Sequence, residues 1–170
     1  MKRVKPAHLK AVVAKLREAG IAVTEGRDRI RVQADGSNAR PNPVNIKTLP
    51  YPGFPTDMQP QMMSLLARGR GTSIFTETVF ENRYMHVAEL NRMGALITTQ
   101  GPVAVVRGVE TLWGASLRAT DLRAGASLVL AALAADGVSE LQGVKHIDRG
   151  YVDFEARLRA LGADVVRSQE

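Results

Sequence analysis

Two aspartates and two arginines sit at the ends of predicted elements, where side chains that transfer protons or bind anions can be held rigidly. Asp57 and Asp121 each lie at the start of a predicted helix. Arg83 and Arg149 each lie at a later junction between a strand and a helix. A carboxylate can accept the proton of a hydroxyl group, and a guanidinium binds a carboxylate or phosphate through paired hydrogen bonds. If these ends converge, they form a pocket for a hydroxyl group and an anion.

The same residues also have purely structural explanations. An aspartate in the first turn of a helix, such as Asp57, complements the positive end of the helix dipole. An arginine such as Arg83 is most often a solvated surface charge. The residue types and their positions leave both explanations open at this point.

The chain around Asp57 is predicted to form a helix, a strand and a second helix. Thr56 as the N-cap, with Gln59 three residues later, fits a capping box in which each side chain bonds a backbone N–H group. The strand is predicted over Ser73–Phe80 and the second helix over Val87–Met93. The first helix has its apolar residues in one stripe: Met58, Met62, Leu65 and Leu66.

Helices also alternate with short strands along the rest of the chain. Helices are predicted over Pro6–Gly20, from Thr120-Asp121 to near Asp136-Gly137, and over Val152–Leu161 with Phe154, Leu158 and Leu161 on one face. The apolar stripe of the middle helix is Leu122, Ala126, Val129, Leu130 and Leu133. The predicted strands are Ile21–Thr24, Arg29–Val32, Val44–Lys47, Ala95–Thr99, Val103–Arg107, Leu117–Ala119, Val138–Leu141 and Ala163–Val166. The composition of Ala34–Pro43, rich in Asp, Gly, Ser, Asn and Pro, predicts a loop.

Several short motifs recur along the chain in the same order. Thr56-Asp57 recurs as Thr120-Asp121, and Asn82-Arg83 recurs as Asp148-Arg149. The Leu90–Gly94 motif recurs as Leu158–Gly162, and an earlier copy of it stands at Leu16–Gly20. Because each motif is separated from its next copy by a similar length of chain, the pattern indicates two copies of a β-α-β-α-β-β unit, preceded by the second half of another.

The repeats predict how the chain is divided. We expect a single domain over 1–170, in which 51–115 and 116–170 are repeat units and 1–50 holds half a unit plus a connection. Repeated units of this length bury their faces against one another. The pattern therefore predicts an α/β fold with helices inside and small sheets outside.

Composition narrows the classes of function. The 170 residues contain no cysteine and three histidines, so we predict no disulfide, no metal site and no cofactor. No apolar run approaches the ~18 residues of a membrane span, and no signal peptide is apparent, so we expect a cytoplasmic protein without a membrane partner. The net charge of +6 is scattered among few aromatic residues. This favours an anionic small molecule over nucleic acid as the ligand.

Four motifs together resemble the enolpyruvyl transferase family, and in particular the UDP-N-acetylglucosamine 1-carboxyvinyltransferases. The motifs lie in the family's order over nearly the whole chain: Phe54–Gln59, Glu77–Arg83, Ala119–Ala124 and His146–Tyr151. The resemblance is to the C-terminal part of those enzymes. It implies an inside-out α/β barrel built from repeated units, here a partial one.

The resemblance also implies an activity and roles for six residues. The family transfers the enolpyruvyl group of phosphoenolpyruvate to the 3-hydroxyl of UDP-N-acetylglucosamine and releases phosphate, in peptidoglycan synthesis. By resemblance, Asp57 contacts the sugar hydroxyl as the proposed base, and Val79 contacts the nucleotide sugar through its backbone. Arg83 would line the cleft. By the same resemblance, three residues would face phosphoenolpyruvate: Asp121, which we also expect to be catalytic, Arg123 and Arg149.

The chain departs from the family pattern in extent. The family's enzymes have two barrels with the cleft between them, and the other barrel supplies a Lys-Asn pair, further arginines and a loop that donates a proton. None of these motifs occurs in this sequence. We therefore expect the isolated chain to be inactive unless a complementing N-terminal half is present.

Two other functions remain open at this stage. One is the shikimate-pathway enolpyruvyl transferase, which has the same barrel and a different acceptor; the run Phe54–Gln59 favours the nucleotide-sugar enzyme. The other is a basic binding module without catalytic activity. Salt-dependent binding to a polynucleotide would indicate that second function.

Overall fold

The computed structural model describes residues 1–33 and 40–168. Six α-helices are described within these ranges: α1 (Lys10–Glu18), α2 (Gln59–Ala67), α3 (Val87–Arg92), α4 (Leu122–Leu133), α5 (Lys145–Asp148) and α6 (Phe154–Ala160). Three 3₁₀ turns precede helices, at Pro6–Leu9, Thr56–Met58 and Arg83–His86. Most of the loop predicted over Ala34–Pro43 lies outside the described residues.

The strands form three small sheets. The strands are β1 (Ala22–Glu25), β2 (Ile30–Gln33), β3 (Ile46–Lys47), β4 (Thr72–Thr76), β5 (Leu96–Gln100), β6 (Val103–Arg107), β7 (Ser116–Arg118) and β8 (Glu140–Gln142). β1 pairs antiparallel with β2, and the central sheet has the order β3-β4-β6-β5. β7 pairs parallel with β8, with Leu117 opposite Leu141. Among the described residues, no helix is both long and apolar enough to cross a membrane.

Two strand–helix–strand units organise the part of the chain that contains the motifs. α2 connects the parallel strands β3 and β4, in which Ile46 stands opposite Phe75. α4 connects the parallel strands β7 and β8 in the same way. The first unit begins before residue 51, so it straddles the predicted boundary between 1–50 and 51–115. The division of the domain into these repeats stays a prediction.

α2 lies at the centre of the core rather than at its edge. The predicted stripe captured Met62 and Leu66, which are buried, but residues on other faces are buried as well. These additional buried residues are Gln59, Pro60, Met63, Ser64 and Ala67. A helix that is buried on nearly all sides has an apolar surface all round, so a single stripe underestimates its packing.

The stripe predicted for α4 is wrong in its larger residues. Leu130 and Leu133 are 41% and 40% exposed. The buried face consists mainly of small residues: Ala124, Gly125, Ala126, Ser127, Leu128 and Ala131. Small side chains let two helices approach closely, and this contact takes precedence over the burial of larger residues. The Ser64 hydroxyl of α2 donates to the Ser127 carbonyl oxygen of α4 at 2.9 Å, which shows how near the two helices are.

Glycine at position 125 is required by the same close packing. A Cβ atom there would lie 2.7 Å from Ile147 Cγ1, and 3.1 Å from the Cβ of Ala119. α4 is therefore held tightly against α5 as well as α2. Its N-terminus, which carries Asp121 and Arg123, is positioned by both contacts.

The start of α4 agrees with the prediction, whereas the start of α2 differs from it. Asp121 is the N-cap of α4, and its Oδ1 accepts from the backbone N–H groups of Arg123 at 2.8 Å and Ala124 at 2.9 Å. Thr56 forms no such cap, and α2 begins three residues later at Gln59. The predicted capping box is wrong because the Thr56 hydroxyl bonds side chains of the site instead.

Two predicted strands also differ from the structure. β4 ends at Thr76, whereas the prediction continued to Phe80. The carboxylate of Glu77 draws the following N–H groups into a turn and so stops the strand. Residues 163–166 form no strand within the described part of the chain, and Leu161, predicted on the buried face of α6, is exposed.

We expect α4 to stabilise the folded chain mainly through the side chains of its buried face. Leu128 is fully buried in the core, so Leu128→Ala should lower the free energy of unfolding by about 2–5 kcal/mol. The matched change Leu130→Ala, on the exposed face, should cost less than about 1 kcal/mol. Urea unfolding followed by circular dichroism measures both. Equal losses would contradict the assignment of Leu128, and not Leu130, to the face that packs the core.

Candidate active site

Asp57 lies between two arginines that come from distant parts of the chain. Its Oδ1 accepts from Arg83 Nη2 at 3.3 Å, and its Oδ2 accepts from Arg123 Nη2 at 2.8 Å. Arg83 is on the 3₁₀ turn before α3, and Arg123 is in the first turn of α4. The structure thus brings together three of the predicted site residues, and the Asp57 side chain remains 52% exposed.

The charges of this cluster are arranged to bind an anion next to a carboxylate. The hydrogen bond that Arg123 donates to Asp57 is the main factor that raises the pKa of Arg123, so that guanidinium stays protonated. Only Nη2 of Arg123 is bonded among the described side chains, which leaves donors of the guanidinium for a ligand. A ligand carboxylate or phosphate could take these donors without displacing the Asp57 contact.

Arg83 is held more firmly than Arg123. Its side chain is 9% exposed, and its Nε donates to the Thr56 hydroxyl at 3.1 Å. The guanidinium carbon lies 4.4 Å from the ring centroid of Phe80, a cation–π contact. Phe80 is about half exposed, as is the Asp57 side chain, so both partners of this guanidinium are accessible to solvent.

A buried carboxylate, that of Glu77, lies behind the cluster. Glu77 Oε1 accepts from the Thr48 hydroxyl at 2.7 Å, and from the backbone N–H groups of Val79 at 2.9 Å and Phe80 at 3.0 Å. Its Oε2 accepts from the Thr56 hydroxyl at 3.0 Å. The predicted backbone contact of Val79 with a ligand must therefore use its carbonyl oxygen, because its N–H group is already bonded.

The remaining predicted residues are connected to the cluster less directly. Asp121 holds the backbone of Arg123 through the helix cap and has no side-chain contact with Asp57. Arg149 follows α5, is exposed and has no hydrogen-bond partner within the described residues. The neighbouring Asp148 is paired with Arg167 by hydrogen bonds of 2.7 Å and 3.1 Å. The structure therefore does not join Arg149 to Asp57, Arg83 and Arg123.

Several residues of the site were not recognised from the sequence. Glu77 was predicted as part of a strand, although a glutamate inside an apolar strand pattern was a signal that could have been followed. The hydroxyl of Tyr84 donates to the Pro102 carbonyl oxygen at 2.9 Å, and burial together with the Glu77 charge raises its pKa to about 12. This bond fixes the start of the turn that carries Arg83.

His86 is the other unrecognised residue, and it lies directly behind Arg83. Its Nδ1 is 3.1 Å from the Arg83 carbonyl oxygen, and its Nε2 has no partner among the described residues. Burial lowers its pKa to about 4, against the opposing influence of that carbonyl and of Asp121. The imidazole is therefore neutral at physiological pH and acts as a packed support for the turn.

Neither a metal site nor the apolar groove beside α2 coincides with the cluster. In residues 1–33 and 40–168, no group of three or more His, Asp or Glu side chains is placed to hold a metal ion. A groove between α1, α2 and α4 is lined by apolar side chains, among them Leu16, Met62, Leu65 and Leu130, and includes none of the predicted site residues.

Comparison with known proteins decides the family. The profile of the family described as EPSP synthase (3-phosphoshikimate 1-carboxyvinyltransferase) matches residues 1–158. The chain belongs to the EPSP synthase family. Within this family the chain is 54% identical over 168 residues to the UDP-N-acetylglucosamine 1-carboxyvinyltransferase of Desulfofundulus thermocisternus, and 58% identical over 160 residues to UDP-N-acetylglucosamine 1-carboxyvinyltransferase 2 of Carboxydothermus hydrogenoformans. The resemblance predicted from the four motifs is confirmed.

The matches cover the chain more fully than they cover its relatives. The two alignments include 99% and 94% of this chain, but 68% of the Desulfofundulus protein and 38% of the Carboxydothermus protein. The chain thus spans about two-fifths of the length of the second relative. The match establishes the family of this chain, and it includes only part of the second relative.

Solved structures of the family confirm the predicted α/β fold. The enolpyruvyl transferase NikO from Streptomyces tendae has a TM-score of 0.82 and 33% identity, over 92% of this chain and 36% of that protein. EPSP synthase from Acinetobacter baumannii has a TM-score of 0.70 and 18% identity, over 94% of this chain and 37% of that protein. At 18% identity the likeness concerns the fold alone.

We predict that His86 makes the free energy of unfolding of this chain depend on pH. The pKa is about 4 in the folded chain and near 6.5 in an unfolded one, so between these values the unfolded chain binds a proton that the folded chain does not. Stability should therefore be unaffected above this window and fall by roughly 3 kcal/mol as the pH is lowered through it. Urea unfolding at a series of pH values measures the loss.

A pair of variants isolates the contribution of this histidine. His86→Gln should remove that part of the pH dependence, whereas His8→Gln, at an exposed histidine, should retain it. Parallel stability curves for the wild type and His86→Gln would contradict the prediction.

Proposed function

We propose that this chain is part of an enzyme that transfers the enolpyruvyl group of phosphoenolpyruvate to the 3-hydroxyl of UDP-N-acetylglucosamine. The observation that carries the proposal is the Asp57–Arg83–Arg123 cluster, formed by residues of three family motifs. The two relatives above, each more than half identical to this chain, support the choice of nucleotide sugar. The product would enter peptidoglycan synthesis, and through it cell-wall formation, cell shape and cell division, in the cytoplasm.

The proposed chemistry assigns one task to each side of the cluster. The acceptor hydroxyl must lose a proton, and we assign Asp57 to accept or orient it, because its carboxylate is half exposed beside fixed cations. Phosphoenolpyruvate brings a carboxylate and a phosphate, which match the free donors of Arg123. An anion bound to these free donors would lie next to Asp57, so the two substrates would meet beside its carboxylate.

Other residues would position the two substrates. We propose that the Val79 carbonyl oxygen and Arg83 contact the nucleotide sugar, because Val79 directly precedes Phe80 and Arg83 stacks on the Phe80 ring. Asp121 would keep Arg123 aligned through its helix cap, and we propose that it also takes part in proton transfer. Arg149, whose guanidinium is unpaired within the described residues, would approach phosphoenolpyruvate from α5.

Catalysis also needs groups that this sequence does not contain. Protonation of C3 of phosphoenolpyruvate requires an acid, and the cluster has no neutral donor suited to that role. We therefore propose that activity needs the part of the relatives that lies outside the match, as a complementing half. A chimera that carries this chain in place of the 160 matched residues of the Carboxydothermus hydrogenoformans relative tests the function directly. Phosphate release that requires both substrates is the expected result, and its absence would overturn the proposal.

The chain alone should bind its nucleotide sugar only weakly. The Asp57 side of the site is present, but one face of a two-sided cleft supplies only part of the contacts. We expect a Kd for UDP-N-acetylglucosamine of about 1 mM or weaker, which corresponds to about −4 kcal/mol. Isothermal titration calorimetry measures it, with UDP-N-acetylglucosamine injected into the wild type and Asp57→Asn. Micromolar binding by the wild type would show that the complementing half contributes little to affinity.

In the active chimera we expect Asp57→Asn to reduce kcat by about 10²–10⁴-fold, the usual contribution of a general base. Arg149→Ala should instead raise the KM for phosphoenolpyruvate first, because an anion contact is lost in the ground state as well as the transition state. Asp28→Asn removes an exposed carboxylate remote from the cluster and serves as the control. Steady-state phosphate release with each substrate varied separates these effects. A kcat for Asp57→Asn near that of the wild type would leave Asp57 with a structural role only.

A further inference from the structure

We infer that Glu77 is a positioning residue of the proposed active site, which orients the Thr56 hydroxyl so that Thr56 in turn holds Arg83 against Asp57. The effect of Glu77 on activity rests on the proposed function, and a kinetic experiment (the activity arm) tests it. Its effect on the position of Arg83 does not, and an NMR experiment (the structural arm) tests that. Glu77 itself touches neither Asp57 nor Arg83 through any described hydrogen bond. Its influence would pass through a single hydroxyl group.

The carboxylate of Glu77 is buried, and both of its oxygens accept hydrogen bonds. The residue is 5% exposed, and its two oxygens accept from four donors, all of them neutral. Three of the donors bind Oε1: the Thr48 hydroxyl and the two backbone N–H groups that close the turn after β4. The fourth, Thr56 Oγ1, is the only described partner of Oε2. The two oxygens of the carboxylate therefore face two different tasks.

The direction of each hydrogen bond follows from the chemistry of the groups. An ionised carboxylate can only accept, so the single proton of the Thr56 hydroxyl points to Glu77 Oε2. The lone pairs of that hydroxyl are then free to accept from Arg83 Nε, at 3.1 Å. With Nε bound in this way, the planar guanidinium places Nη2 at 3.3 Å from Asp57 Oδ1. We call this series of hydrogen bonds, from Glu77 through Thr56 to Arg83, the relay. It determines which edge of the Arg83 guanidinium faces the Asp57 carboxylate.

An amide at position 77 would reverse this order. In Glu77→Gln the amide oxygen can remain with the three donors at the turn, and the NH₂ group then faces Thr56. Because that NH₂ group donates, the Thr56 hydroxyl has two donors directed at it and no acceptor for its own proton. We expect Arg83 Nε to lose its bond and the guanidinium to become mobile.

The structural arm uses the chain itself and nitrogen-15 NMR of the arginine side chains. We expect the Nε–H resonance of Arg83 to be protected from exchange with water in the wild type. Protection should fall at least about 10-fold in Glu77→Gln and in Thr56→Val, and should be kept in Thr56→Ser, which restores the hydroxyl. Backbone amide spectra establish that each variant is folded, and Thr56→Val, at a partly exposed position, is the milder change.

Thr48→Val separates the relay from simple support of the turn. It removes a donor from the same carboxylate, but at Oε1, where the relay does not pass. The relay predicts that Arg83 keeps its protection in this variant. If protection is lost equally in Thr48→Val and Thr56→Val, or is unchanged in Glu77→Gln, the inference is wrong and Glu77 only closes the turn.

The activity arm uses the chimera described above. Glu77→Gln and Thr56→Val should each lower kcat by about 10-fold, because Arg83 would no longer be held in its position beside Asp57. The double variant should be no slower than either single one, because both break the same relay. Effects that multiply in the double variant would overturn the relay. If the unaltered chimera is inactive, the proposed function fails, while the NMR comparison still decides the role of Glu77.

Discussion

The close contact between α2 and α4 is the constraint on which the rest of the structure depends. Ser64 and Ser127 bridge the two helices, and small residues line the shared face. Because α4 is held at this short distance, its N-terminus reaches the 3₁₀ turn that precedes α2. Arg123 therefore meets Asp57 at 2.8 Å, although the two residues are far apart in the sequence. A larger side chain at the interface would separate the helices and, with them, the two charges.

Polar groups then define the site that this packing brings together. A buried carboxylate accepts four neutral donors, one of which leads through Thr56 to Arg83. Buried polar networks stabilise one arrangement strongly when all members are bonded. The exposed parts of the cluster, Asp57 and Arg123, are thereby supported from behind. Each Asp57 oxygen accepts one arginine donor, and Arg123 keeps donors that no described side chain binds.

Much of the fold was predictable because it depends on local signals. Helix and strand positions followed from periodicity and from glycines, such as Gly20 with its positive φ, that end helices. The errors occurred where tertiary contacts compete with those signals. Thr56 was predicted to cap a helix, yet its hydroxyl bonds Glu77 and Arg83. Leu130 and Leu133 of α4 were predicted to lie in its apolar stripe, yet both are exposed, and the buried face consists mainly of small residues.

The sequence by itself determined the family, the α/β class and the identity of the charged residues, because motifs and periodicity are properties of the chain alone. It also indicated that aspartates and arginines lie at element ends. Only the tertiary structure decided which of them meet: Asp57, Arg83 and Arg123 do so, and Arg149 does not. It also revealed Glu77, whose role depends on donors from residues 48, 56, 79 and 80. Spacing along the chain cannot encode such a contact, because it arises only when the strands and turns have packed.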